Sequence, residues 1–104
     1  MRLGAYKAIL KAGSLAEKCY NATSISERHR HRYEIDISYK NEFESKGLIF
    51  SGISEDDRLP EICEIPNLRF FLGVQFHPEL KSQVLKPHPI FVSLIKEAIS
   101  KVIT

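Results

Sequence analysis

The chain has 104 residues, enough for one domain with a modest core. Charged residues make up 27% of it and the net charge is +2, so the composition is that of an ordinary globular protein and does not predict strong polyanion binding. No apolar run approaches the roughly 18 residues of a membrane helix, and no signal peptide is evident. The two cysteines lack metal-motif spacing and are expected to be free thiols, so we expect a cytoplasmic protein.

The first half of the chain predicts two strands and two short helices. Residues 2–10 predict a strand that bends at Gly4. Ser14-Leu15-Ala16-Glu17 is a capping box and predicts a helix that ends near Asn21. A second helix over residues 39–46 should be stopped by Gly47.

Between the two helices, residues 28–35 predict a strand with two chemically different faces. Alternation places Arg28, Arg30, Arg32 and Glu34 on one face and His29, His31, Tyr33 and Ile35 on the other. The arginines suit bidentate contact with a carboxylate or another anion. A solvated basic edge, a nucleic-acid-binding surface, and a metal site at His29 and His31 without an evident third ligand are the alternatives.

The second half predicts a hairpin, a buried strand and a terminal helix. Residues 48–65 read as a hairpin with a loop of four or five residues, in which Pro60 places the return strand at an edge or delays its start. The run of apolar residues over 70–76 predicts a strand covered on both faces. The last helix should open at Pro89 and cover a sheet with an apolar stripe formed by Phe91, Leu94, Ile95, Ala98 and Val102.

A polar pair follows the predicted buried strand. His77 and Glu79 are two residues apart on an extended segment, so their side chains should point the same way. Pro78 between them favours an extended backbone at His77. A carboxylate on one imidazole nitrogen leaves the other nitrogen free to act as a base. The alternative is a surface loop with a chance histidine and glutamate.

Several motifs together resemble the CTP synthase family. They are Gly73-Val74-Gln75-Phe76-His77-Pro78-Glu79, Met1-Arg2-Leu3-Gly4-Ala5, Glu27-Arg28-His29-Arg30-His31-Arg32-Tyr33-Glu34, Lys81-Ser82 and Pro87-His88-Pro89. The resemblance covers nearly the whole chain but only the C-terminal part of the family's class I glutamine amidotransferase domain. It implies that residues 1–104 form part of an α/β, flavodoxin-like three-layer domain, with a mixed sheet and a terminal helix.

The resemblance also implies an activity and its site. The family hydrolyses glutamine and uses the ammonia for ATP-dependent conversion of UTP to CTP. By family motif, His77 is the catalytic base, Glu79 orients it, and Arg32 with Tyr33 forms the glutamine pocket. The family's nucleophile is a cysteine on a glycine-flanked elbow, which neither Cys19 nor Cys63 matches.

We therefore expect a chain that is inactive alone. The resemblance implies that a missing N-terminal portion would bring the nucleophile and the synthase domain that binds ATP and magnesium. No cofactor or metal is expected in this chain. Homo-oligomers are expected from the family, and neither a membrane nor a nucleic-acid partner is expected. A small basic nucleic-acid- or anion-binding module and a non-functional split-gene remnant are the alternatives.

Overall fold

The computed structural model describes residues 2–31 and 34–103, which form a sheet with helices packed against it. The strands are β1 (Arg2–Leu10), β2 (Ser24–His31), β3 (Ile49–Ser54), β4 (Pro60–Glu64) and β5 (Leu72–Val74). The helices are α1 (Leu15–Tyr20), α2 (Lys40–Ser45) and α3 (Pro89–Ile103), with 3-10 turns at Ile37–Tyr39 and Pro78–Leu80. In the part of the chain that the structure describes, no helix is long and apolar enough to cross a membrane.

The sheet order is β2-β1-β3-β4-β5, and the α/β class is as predicted. Every strand pair among the described residues is antiparallel, whereas a mixed sheet was expected. A parallel neighbour needs a long crossover connection. The connection through α2 is such a crossover, but β1 lies between the two strands it joins, so β2 and β3 never pair.

Capping residues, glycine and proline set the boundaries of the helices and the hairpin. The Ser14 side chain accepts from the Glu17 N–H, and Glu17 accepts in turn from the Gly13 N–H at 3.0 Å. The capping box and the α1 boundaries are therefore confirmed. Gly47, with φ of +97°, follows α2 as predicted. β3 and β4 form the expected hairpin, in which Pro60 is the first residue of the return strand.

The strand predicted to be buried on both faces is instead short and lies at the margin of the sheet. β5 has three residues, pairs with β4 alone among the described strands, and follows Phe71, which is 41% exposed. The hydrogen bonds that follow show the chain moving away from β4. The Gln75 N–H still donates to the Glu61 carbonyl of β4, whereas the His77 N–H donates to the Arg28 carbonyl of β2. Residues 75–77 thus cross from β4 to β2, which curls the sheet and brings its two margins together.

The core lies between the inner face of this curled sheet and the helices α1 and α3. Its buried side chains come from β1, β2, β4, the segment after β5 and the two helices. They are Ala8, Leu10, Ala16, Ile25, Ile62, Phe76 and Ile90. Among the α3 side chains that the structure describes, Ile90 is the one that belongs to this core. Four residues of the predicted stripe, Phe91, Leu94, Ile95 and Ala98, are exposed, so the expectation that they cover the sheet is wrong. The side chain of Val102, the fifth residue of the stripe, lies outside the described residues. The helix α1 contacts α3 but has six residues against the fifteen of α3, so much of α3 has no helix beside it in the part of the chain that the structure describes.

Candidate functional site

His77 and Glu79 form a contact immediately after β5. The His77 Nδ1 and Glu79 Oε1 atoms are 2.5 Å apart, within hydrogen-bond reach as the sequence predicts. His77 has the extended backbone expected before proline, with φ of −113° and ψ of 90°, and Pro78 starts the 3-10 turn that carries Glu79 back towards the ring. Both side chains are about half exposed, so the pair is open to a ligand.

The electrostatics of the pair fix the protonation pattern of the imidazole ring. The backbone N–H of Glu79 and the neighbouring His77 ring hold the pKa of the Glu79 carboxyl below its usual range. An ionised carboxylate accepts, so in the neutral ring the Nδ1 atom carries the proton. The Nε2 atom is then an unprotonated nitrogen that can accept a proton. The arrangement can therefore perform general-base chemistry.

The pair is held against β2, the strand that carries Arg28 and Arg30. The His77 N–H donates to the Arg28 carbonyl at 2.9 Å, and Lys81 Nζ donates to the Ser26 carbonyl at 2.7 Å. Arg28 and Arg30 are exposed on this strand while His29 is buried, so the predicted separation of faces is confirmed for these residues.

The ends of that strand differ from the prediction. β2 begins at Ser24 and ends at His31, while Ile35 lies beyond it and is 36% exposed. Arg32 and Tyr33, the predicted glutamine-binding residues, lie outside the described residues. Their assignment to the glutamine pocket therefore stays a prediction from the sequence motif.

His29 has a structural environment rather than that of a metal ligand. Its Nε2 atom is 2.9 Å from Glu61 Oε2, with both side chains almost fully buried. Its ring also makes edge contacts with Tyr6 and Phe76, with centroids 5.7 and 5.8 Å apart. Among residues 2–31 and 34–103, no group of three or more histidine, cysteine or acidic side chains could hold a metal ion.

A second polar cluster, which sequence reasoning missed, lies in the core beside β2. The Glu27 Oε2 atom accepts from both the Tyr20 hydroxyl and His88 Nε2. The other ring nitrogen of His88 accepts from the Ile90 N–H at 3.1 Å, in the first turn of α3. Alternation along β2 could have shown that Glu27 lies on the buried face with Ile25 and His29, although it does not indicate which residues Glu27 contacts.

Neither cysteine is placed as an activated nucleophile. Cys19 lies within α1 and Cys63 within β4, as predicted, and both are half-buried rather than fully buried. Burial raises the pKa of both thiols above the usual cysteine range. Because the thiolate is the reactive form, both side chains are expected to be inert packing groups.

The chain matches a known protein family. The model of the family described as "Glutamine amidotransferase class-I" matches residues 1–97, and the chain belongs to this family. Within it, the chain is 59% identical over 98 residues to CTP synthase of Rhizobium etli (strain CIAT 652) and 55% identical over 101 residues to CTP synthase of Zymomonas mobilis. These alignments cover 94% and 97% of this chain but 18% and 19% of the relatives, so the chain spans about a fifth of their length.

A solved structure agrees with the sequence comparison. The Trypanosoma brucei CTPS glutaminase domain with bound acivicin superposes with a TM-score of 0.89 at 36% identity, and covers 96% of this chain. This chain covers 40% of that domain's chain. The resemblance to CTP synthase and the expected α/β amidotransferase fold are both confirmed.

Proposed function

We propose that this chain is the part of a CTP synthase glutaminase that supplies the catalytic base and its orienting carboxylate. The observation that carries the proposal is the 2.5 Å contact between His77 and Glu79. It occurs within a fold that superposes on a CTPS glutaminase domain with a TM-score of 0.89.

In the proposed reaction, a cysteine thiol from outside residues 1–104 attacks the side-chain amide carbon of glutamine. His77 Nε2 takes the thiol proton and passes it to the departing nitrogen, which leaves as ammonia, while the acyl group stays on the cysteine sulfur as a thioester. His77 then removes a proton from water, which attacks the thioester to release glutamate and restore the thiol. Glu79 keeps the Nδ1 proton in place and stabilises the imidazolium between these steps.

Arg32 and Tyr33 are proposed to hold the substrate. Arg32 would bind the α-carboxylate of glutamine through its planar guanidinium group, and Tyr33 would shape the same pocket. Support comes from the family motif and from the bond between His77 and Arg28, which fixes the base beside the strand that leads to Arg32.

The same proposal assigns the remaining steps to portions of the enzyme outside residues 1–104. The ammonia would aminate UTP in a synthase portion that binds ATP and magnesium, in a homo-oligomer in the cytoplasm. This chain binds no cofactor in the proposed scheme, and it has no glutaminase activity by itself because Cys19 and Cys63 are not activated.

The test compares glutamate release by the chain alone and in a mixture. The partner in the mixture is R. etli CTP synthase from which the region matched by this chain has been removed. We expect release only in the mixture, with the chain alone no more active than its Cys19→Ala/Cys63→Ala variant. Glutamate release by the chain alone above that control would overturn the proposal, as would a mixture that forms a complex but leaves glutamine intact.

A further inference from the structure

Two sequence motifs have no part in the proposed reaction, Lys81-Ser82 and Pro87-His88-Pro89. Both lie in residues 77–88, the segment that begins with the His–Glu pair, hereafter the base loop. In the structure each motif connects the base loop to β2. This strand lies at the margin of the described sheet, where a strand presents backbone groups along its outer side.

The start of the base loop contacts β2 at two points. The His77 N–H donates to the Arg28 carbonyl at 2.9 Å, and Lys81 Nζ donates to the Ser26 carbonyl at 2.7 Å. Residues two apart on a strand are about 6–7 Å from each other. Between the two contacts the backbone forms a turn, in which the Lys81 N–H donates to the Pro78 carbonyl at 3.0 Å. One hydrogen bond would leave this turn able to rotate on the strand, whereas two fix its orientation.

The far end of the base loop is held in the core. The His88 N–H donates to Ser82 Oγ at 3.0 Å, and His88 Nε2 donates to Glu27 Oε2, with both of these side chains almost fully buried. Because Glu27 lies between Ser26 and Arg28, three successive residues of β2 hold the base loop. The His–Glu pair is therefore carried by a segment that is fixed at its start and at its end.

We propose that Lys81 is a positioning residue for the general base, an inference that rests on the proposed function. Its ammonium group holds the turn Pro78–Leu80 against β2, and that turn carries Glu79 to the Nδ1 atom of His77. Without the ammonium contact, Glu79 would spend part of its time away from Nδ1. The neutral ring would then also adopt the tautomer with its proton on Nε2, which cannot accept the thiol proton there.

The surroundings of Lys81 favour positioning over a contribution to folding. An exposed lysine that fixes its long side chain loses rotamer entropy, so it normally leaves the ammonium in water. Lys81 is exposed, yet its ammonium binds a backbone carbonyl 55 residues away in the sequence. Such a bond to a charged donor is stronger than one between neutral groups. Its removal leaves the buried contact between Glu27 and His88 in place, so we expect the turn to move while the core stays folded.

The first measurement is the tautomer of the His77 ring in the isotope-labelled chain, given by the NMR shifts of the two ring nitrogens at a pH where the ring is neutral. The test variant is Lys81→Met, which keeps the length of the side chain and removes its charge. Lys81→Arg restores a charged donor. Lys86→Met makes the same change as the test variant at another exposed lysine of the base loop.

We expect the ring proton to stay on Nδ1 in wild type, Lys81→Arg and Lys86→Met, and the share of the Nε2–H form to rise severalfold in Lys81→Met. An unchanged tautomer in Lys81→Met overturns the proposal, as does an equal shift in Lys86→Met. The thermal midpoint of Lys81→Met should equal that of wild type. A lower midpoint that accompanies the shift would mean that Lys81 supports the fold, which also contradicts a positioning role.

The second measurement is glutamate release in the mixture with R. etli CTP synthase that lacks the matched region. Lys81→Met should lower kcat about tenfold and leave the KM for glutamine unchanged, because a displaced base slows the chemical steps while the substrate contacts remain. Lys81→Arg should recover the wild-type kcat. A raised KM at unchanged kcat would place Lys81 in substrate binding and contradict the proposal.

The two measurements distinguish a failure of this inference from a failure of the proposed function. The tautomer is measured on the chain alone, so it decides whether Lys81 holds the His–Glu pair even where the wild-type mixture releases no glutamate, a result that contradicts the function. Glutamate release at the wild-type rate in a Lys81→Met mixture supports the function and contradicts the positioning role.

Discussion

Replacing Glu27 by glutamine should destabilise the domain, because one carboxylate oxygen joins three elements. Its Oε2 atom accepts from Tyr20 of α1 and from His88, which in turn accepts from the first turn of α3. The other oxygen, Oε1, is buried without a hydrogen-bond partner. A glutamine carbonyl could keep the Oε2 contacts, but its NH₂ group would then lie at the Oε1 position with no acceptor.

The loss in the free energy of unfolding expected for Glu27→Gln follows from that geometry. A buried donor left unsatisfied costs about 1–3 kcal/mol. For a domain of this size the loss corresponds to a fall in the melting temperature of roughly 5–20 °C. Glu27→Leu removes both contacts and leaves two donors unpaired, so its cost should be about twice as large. Tyr20→Phe should recover part of that second loss, because it removes one of the two orphaned donors.

The assay is urea unfolding of each variant at neutral pH, with Glu55→Gln as the control at an exposed glutamate in the β3–β4 loop. The control should stay within about 0.5 kcal/mol of wild type. A Glu27→Gln stability within the same range would refute the reasoning, since the buried cluster would then contribute nothing that an amide cannot replace.

Three further predictions concern the site and its pH dependence. The Glu79 carboxyl should titrate below the ordinary glutamate range of about 4.3 in NMR, and His77→Ala should move its midpoint back towards that range; an unmoved midpoint contradicts the contact. In the reconstituted mixture, Arg32→Ala should raise the KM for glutamine about 10- to 100-fold and leave ammonia-dependent CTP formation unchanged, whereas equal losses with both nitrogen donors would mean that Arg32 supports the fold. Burial raises the pKa of Tyr20, so the stability it contributes is present below the ordinary tyrosine pKa of about 10 and is lost above it. Tyr20→Phe should therefore flatten the alkaline loss of stability more than Tyr39→Phe, at an exposed tyrosine, and equal effects would contradict this assignment.

Signals that act over a few residues could be read from the sequence. The capping box at Ser14 and Glu17, the β3–β4 hairpin and the direction of His77 and Glu79 depend on neighbours no more than a few positions away. The residue types within such a short segment determine its helix capping and the direction of its side chains. The contact of the His–Glu pair was predicted for this reason.

Features that depend on contacts between residues far apart in the sequence could not be predicted from it. Glu27 and His88 are 61 residues apart, and the sequence around either residue does not predict that it contacts the other. Apolar content predicted burial for residues 70–76 and for the α3 stripe, but periodicity cannot say whether a covering element is present. Phe71 and Leu94 are exposed because no described element lies over them.

The most direct test of the central claim is the rate of glutamine hydrolysis by the reconstituted mixture when His77 is replaced by alanine. Binding between this chain and the R. etli partner should be unchanged, because the substitution removes one half-exposed ring whose hydrogen bond is to Glu79 of the same chain. The turnover number should fall by about 10²–10⁴-fold, the contribution expected from a positioned general base. Hydrolysis at the wild-type rate in a His77→Ala complex would show that the base comes from elsewhere and would contradict the account.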